Sequence, residues 1–207
     1  MRFAKSFLTI FFLSFAAACF AQKPDALVLY RNENYAEAIK VCEQEIASNP
    51  NNVDSYCVLC WSLVRNRQYA EGEERAPAAR KIAPGDVRLM EILAEAKYYL
   101  GKNTGAMEMF QLYIASAPSN AARIGNAYYY MGEIYIRQGK YQHADMSMTA
   151  AVYTEPQVAL WWSRCGYARE MAGNYSEALE AYNKSLSLDK NQGDAARGRD
   201  RVAARLR

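Results

Sequence analysis

The sequence predicts an all-α chain: a solenoid of about five helical hairpins finished by a capping helix at the C-terminus. Three observations lead there. Pro50, Pro84 and Pro118 stand 34 residues apart, and the next proline in phase, Pro156, follows 38 residues on. An aromatic-plus-small phrase sits at a fixed distance before these marks, as Asn34-Tyr35-Ala36-Glu37-Ala38, Gln68-Tyr69-Ala70-Glu71-Gly72, Lys140-Tyr141-Gln142-His143-Ala144 and Asn174-Tyr175-Ser176-Glu177-Ala178, while Asn103-Thr104-Gly105-Ala106 replaces it in the third copy. Within a copy the apolar residues recur at spacings of three and four, as Met90, Leu93, Ala94 and Leu100 on one face and Ala106, Phe110, Tyr113 and Ile114 on another.

The chain opens on Arg2 and Lys5, followed by twelve uncharged residues from Phe7 to Ala18 and then small residues. That order of charge, apolar run and small residues is the pattern of a secretory signal peptide over residues 1–21, too short for the roughly 20 apolar residues of a transmembrane helix. Cleavage before Gln22 gives a soluble exported protein. The alternative is a lipid anchor at Cys19, which Ala16-Ala17-Ala18 precede, although Leu is missing three residues before the cysteine. Both readings place the mature chain in the periplasm or another extracytoplasmic space. Without Arg2 and Lys5 the chain carries 23 basic and 22 acidic residues. Residues 190–207 alone hold a net charge of +4, so the weak basicity is a property of the tail and not of a nucleic-acid face.

The copies follow over about 24–50, 53–84, 87–118, 121–156 and 157–190. Gly101, Gly139 and Gly173 fall between the two helices of their copies, where a helix end calls for positive φ. Asn52 and Asp86 follow prolines and are placed to cap the next helix. Four extra residues around Ser119–Ile124 amount to about one helical turn and are expected to lengthen a helix without rotating its apolar face. Pro77 lies inside the second helix of its copy, where a missing N–H should kink or delay it. Residues 191–207, with Ala195, Ala196, Val202, Ala203 and Leu206 among five arginines, complete the stack as a capping helix.

These residues resemble the tetratricopeptide repeat (TPR), which wants a large residue at the fourth place, Leu at the seventh, small residues at the eighth and twentieth, an aromatic at the twenty-fourth, Ala at the twenty-seventh and Pro at the thirty-second. The fourth copy offers Tyr128, Met131, Gly132, Tyr135, Ala144, Met148, Ala151 and Pro156; the second offers Tyr56, Leu59, Cys60, Leu63, Gly72, Ala76, Ala79 and Pro84. The fifth has Trp162, Cys165, Gly166, Ala178, Tyr182 and Ser185, but Arg169 and Lys190 depart from the pattern, and the first copy matches only in its second half. The resemblance covers residues 24 to 190 and implies a right-handed superhelix of an exported bacterial TPR protein.

Chemistry is sparse. A composition 51% hydrophobic, with 11 Gly and 6 Pro, excludes low-complexity disorder. One histidine, His143, excludes His-rich metal sites and catalysis by two imidazoles. Cys57-Val-Leu-Cys60 spells a redox motif, but inside a helix with no βαβ pattern it reads as buried packing. A Cys42–Cys60 disulfide is the other option for these thiols in an oxidising compartment. No phosphate loop, nucleophile elbow or metal-ligand cluster is present, so no enzyme activity and no cofactor is expected.

The resemblance assigns the concave surface to the fifth, ninth, twelfth and thirteenth places. In this chain these put Trp61, Arg65, Glu91, Glu95, Tyr98, Tyr129, Glu133, Arg137 and Tyr167 in a groove. Chaperone-binding TPRs clamp a peptide carboxylate with basic residues at such places, whereas here Glu91, Glu95 and Glu133 stand there. The expectation is an adaptor or scaffold of the bacterial cell envelope that binds a protein segment with apolar and Lys or Arg residues in an aromatic, acidic groove, with no nucleic-acid partner. The alternatives are an apolar small-ligand or lipid carrier using the same groove, and a thiol redox protein.

Overall fold

The computed structural model describes residues 25–207. The segment read as a signal peptide, Cys19 included, lies outside the described residues. Eleven helices and no strands are found among the described residues, arranged as five antiparallel pairs and a final single helix. The pairs are α1 (Ala26–Arg31) with α2 (Tyr35–Ser48), α3 (Val53–Arg65) with α4 (Tyr69–Ile82), and α5 (Val87–Tyr99) with α6 (Asn103–Ser116). Next come α7 (Ile124–Arg137) with α8 (Tyr141–Thr154), α9 (Ala159–Ala172) with α10 (Tyr175–Leu188), and α11 (Gly193–Arg205). The stack is an all-α repeat solenoid.

The turn inside each pair carries one residue in the left-handed region: Glu33, Arg67, Gly101, Gly139 and Gly173, with φ of 60°, 62°, 73°, 69° and 88°. The sequence marked the three glycines; Glu33 and Arg67 adopt the same turn at the cost that a Cβ brings to positive φ. Asn52 Oδ1 accepts from the Ser55 N–H at 3.2 Å and Asp86 Oδ1 from the Arg88 N–H at 2.9 Å, so both act as caps. Helix α4 runs on through Pro77, which sits on its exposed side, while buried Ala76 and Ala79 hold the inner side.

The four extra residues do not lengthen a helix. Helices α6 and α7 have 14 residues, like α8 and α10, and the added length forms the irregular connection 117–123. Pro118 stops α6 because it disfavours helical geometry in the residue before it. Turns closed by Ala121 N–H to Pro118 O (2.9 Å) and Ile124 N–H to Ala121 O (3.1 Å) then lead into α7. The consequence is that Arg123 enters the stack as the residue preceding α7.

Packing follows a notch-and-ring rule. Tyr182 of α10 is 1% exposed, and its ring lies between Gly166 of α9 and Gly198 of α11, where a Cβ on either glycine would overlap it. Met148 of α8 fills the equivalent notch at Gly132 of α7. Small residues at these places are what let helix backbones approach closely enough for one large side chain to seal the seam.

Candidate functional site

Helices α1 and α3, α3 and α5, α5 and α7, and α9 and α11 touch one another, whereas each even helix packs chiefly on its odd neighbours. The odd helices therefore line the shorter, inner side of the stack. That inner face has a floor of carboxylates and arginines.

Glu91 and Glu95 lie one turn apart on α5 and are each 1% exposed. One guanidinium serves both: Arg123 Nη2 is 2.7 Å from Glu91 Oε1 and 2.5 Å from Glu95 Oε2. Glu95 has further partners, since the Tyr130 hydroxyl donates to its Oε1 at 2.9 Å and Arg65 Nη1 lies at 3.4 Å. Glu91 has no well-aligned hydrogen bond beyond that ion pair. Burial accordingly lifts its carboxyl to about 7, the nearby Glu95 adding to the effect and Arg123 opposing it. Arg123 stays charged, because the two carboxylates outweigh its own desolvation.

The next seams use one arginine per carboxylate. Arg164 of α9 donates to Glu133 of α7 through Nε (2.5 Å to Oε1) and Nη2 (2.9 Å to Oε2). Arg201 of α11 holds Glu170 of α9 in the same fork, 2.9 Å at both ends, and the Tyr182 hydroxyl adds a third donor to Glu170 at 2.7 Å. Burial pushes the Glu170 carboxyl up, but the bonds from Arg201 and Tyr182 win and hold it below the usual carboxylate range.

The rings are distributed unequally. Tyr98 is buried, with the Arg137 guanidinium 4.2 Å above its ring and Tyr130 packed 4.6 Å away. Tyr129 is half-buried and stacks on Trp161 at 5.4 Å; Trp61 is half-buried and lies 5.9 Å from Tyr30. Tyr167 is half-buried with the Arg164 guanidinium 5.2 Å from its ring.

Of the nine sequence-assigned groove residues, Trp61, Arg65, Tyr129, Arg137 and Tyr167 keep accessible surface, while Tyr98, Glu91, Glu95 and Glu133 do not. The expected acidic centre is thus corrected. Its carboxylates are already neutralised from within, with side-chain exposures of 2%, 2% and 12%, against 32% for Arg65, 23% for Arg123 and 27% for Arg164. Bringing a partner's Lys or Arg onto that floor would set cation against cation. Arg123, Arg164, Arg201 and Tyr130 were missed in the sequence. One signal was available: Arg164 follows Glu133, and Arg201 follows Glu170, by 31 residues, one repeat less one helical turn.

The thiols point away from redox work. Cys42, Cys57, Cys60 and Cys165 are free and fully buried, and burial pushes the first three up to about 12 and Cys165 to about 11. Among the described residues no cluster of three or more His, Cys, Asp or Glu is placed to hold a metal ion, and no helix is long and apolar enough to cross a membrane. A cavity of about 730 Å³ beside α1 and α3 mixes Asp25, Arg31, Asn52, Asp54 and Arg88 with Leu27, Val58 and Trp61, a lining that does not favour a wholly apolar ligand.

Comparison with known proteins adds the family. Residues 58–121, 125–158 and 159–192 each match the tetratricopeptide repeat. The chain is 24% identical to anaphase-promoting complex subunit 3 of Schizosaccharomyces pombe over 156 residues, 72% of this chain and 22% of that protein. It spans about a quarter of the length of the curated relatives it matches. Among solved structures it is similar to the C-terminal part of a TPR repeat-containing protein from Cytophaga hutchinsonii (TM-score 0.71, 18% identity, 87% of this chain and 70% of that one). It is also similar to YrrB, described as a TPR protein with an unusual peptide-binding site (TM-score 0.66, 16% identity, 84% and 88%). Identities this low speak for the fold alone.

Proposed function

Because the chain belongs to the tetratricopeptide repeat family, we propose that it is a non-enzymatic adaptor holding a protein segment along the inner face of α3, α5, α7 and α9. The observation that carries this reading is a row of accessible side chains, Trp61, Tyr129, Arg137 and Tyr167, standing on a floor whose buried charges are paired across successive helices. Rings with polar tips give large contact area at low conformational cost, and a floor locked by ion pairs keeps them pre-arranged. The similarity to a peptide-binding TPR protein agrees with this class of ligand.

We also propose that the adaptor works outside the cytoplasm, in a bacterial cell envelope, on the strength of Arg2, Lys5 and the uncharged run Phe7–Ala18. Fractionation of the source cells tests the location, and the mass of the mature protein separates cleavage before Gln22 from a lipid on Cys19. The groove is tested with Tyr129→Ala combined with Tyr167→Ala. The double variant should lose the native partner while keeping its helical circular dichroism; undiminished binding would refute the groove.

A further inference from the structure

Resting on the groove reading above, we propose that the bound segment is acidic, and that side-chain carboxylates of its Asp or Glu residues are received by Arg164 and Arg201 in the pocket between α9 and α11.

That pocket, about 330 Å³, is lined by Ser163, Arg164, Tyr167, Tyr182, Asp194 and Arg201. Each of its two arginines commits Nε and Nη2 to a glutamate behind it, Arg164 to Glu133 and Arg201 to Glu170. A guanidinium has five N–H donors; Nη1 of Arg164 makes no hydrogen bond among the described residues, and Arg201, which also has the Tyr182 hydroxyl as a hydrogen-bonding neighbour, keeps half of its side chain exposed. The glutamates sit at the back with side-chain exposures of 12% and 8%, while the arginines in front have 27% and 52%. An incoming group therefore meets the guanidinium groups before it meets Glu133 or Glu170, the exposed Asp194 being the one carboxylate at the mouth of the pocket.

The surroundings favour the same sign. Asp194, the one carboxylate in the lining, is tied to Arg197. Residues 190–207 carry a net charge of +4, and Arg205 lies close by over the Tyr175 ring. The Arg164 guanidinium beside the Tyr167 ring is held in place, so a planar carboxylate finds pre-oriented donors and loses little freedom in using them. Because the charge of each arginine is matched by its own glutamate, attraction is short-ranged and should weaken with salt.

The test uses the whole mature chain and three fluorescein-labelled short peptides with amidated C-termini. They share the same Leu and Tyr positions and carry Glu, Gln or Lys between them; anisotropy reads the binding. The Glu peptide should bind about tenfold more tightly than the Gln peptide, the size of a lost charge-assisted hydrogen bond. The Lys peptide should bind most weakly. Arg164→Lys and Arg201→Lys should each cost the Glu peptide about tenfold with the melting temperature nearly kept, since Lys still opposes the buried glutamate. A Gln or Lys peptide that binds as tightly, and is lost in Tyr167→Ala, overturns the acidic preference and leaves the groove standing. Binding that needs a free C-terminal carboxylate, or that ignores both Lys variants, overturns the proposal as well. Peptides held equally by wild type and by the Tyr129 and Tyr167 variants overturn both readings.

Discussion

The seams between α5 and α7 and between α9 and α11 solve one problem in opposite ways. Each buries glutamate from one odd helix against an arginine presented by the next. In the first, two carboxylates share Arg123, and Glu91 receives nothing else, so its carboxyl rises to about 7. In the second, Glu170 alone takes two N–H bonds from Arg201 and a hydroxyl from Tyr182, and its carboxyl falls. Both side chains are largely covered, at 1% and 9% exposure, but Glu91 sits deeper in the protein and loses more solvation. Deeper desolvation and fewer donors together raise the Glu91 carboxyl, whereas at Glu170 the bonds from Arg201 and Tyr182 outweigh a smaller desolvation.

Removing Arg123 should break the comparison most severely. Arg123→Met strands Glu91 and leaves Glu95 only Tyr130 and Arg65, and losing one side of a buried ion pair costs about 3–5 kcal/mol, read by urea unfolding near neutral pH. Protonation of Glu91 should recover part of that loss on acidification.

Glu91→Gln should act the other way and stabilise the chain at pH 8, on the order of 2 kcal/mol, because one charge no longer competes for Arg123. A carboxyl raised in the folded state contributes stability that is full below its unfolded value, about 4.3, and declines as pH rises through about 7. The variant should therefore flatten the wild-type fall across that window and match wild type below it.

Glu170→Gln sharpens the contrast with the reverse sign. A carboxyl held low contributes stability above its unfolded value that disappears as pH falls through the folded one. The variant should lose about 1–2 kcal/mol near neutrality and converge on wild type in acid, checked by thermal melts across pH. Arg201→Lys should be mildest, roughly 0.5 kcal/mol, because Arg201 is half exposed and solvent screens the change.

Much of this architecture was legible in the residues. The prolines at 50, 84, 118 and 156 fall between successive helix pairs, the glycines at 101, 139 and 173 mark turns that do take positive φ, and Asn52 and Asp86 do cap their helices. The extra turn of chain after Pro118 was misassigned to a helix, because four residues fit a helical turn and a loop equally well until Pro118 is given its effect on Ala117. That error hid the site, since only the loop's path brings Arg123 to α5. Glutamates at inner positions were legible as positions but not as neutralised charges. Their partners sit one repeat away, and only the stacking offset reveals that 31 residues separate the members of a pair. Tyr98 failed for a related reason: its position faces inward, but Arg137 from the next odd helix lies across it.

The most direct measurement is a pH titration of the glutamate side-chain carboxyl carbons by NMR, with Glu91 and Glu170 assigned through their Gln variants. The account predicts two displaced curves, Glu91 titrating near 7 and Glu170 below the ordinary carboxylate value. Curves that coincide near 4.3, or that exchange order, would contradict an inner face built on one shared and one dedicated arginine.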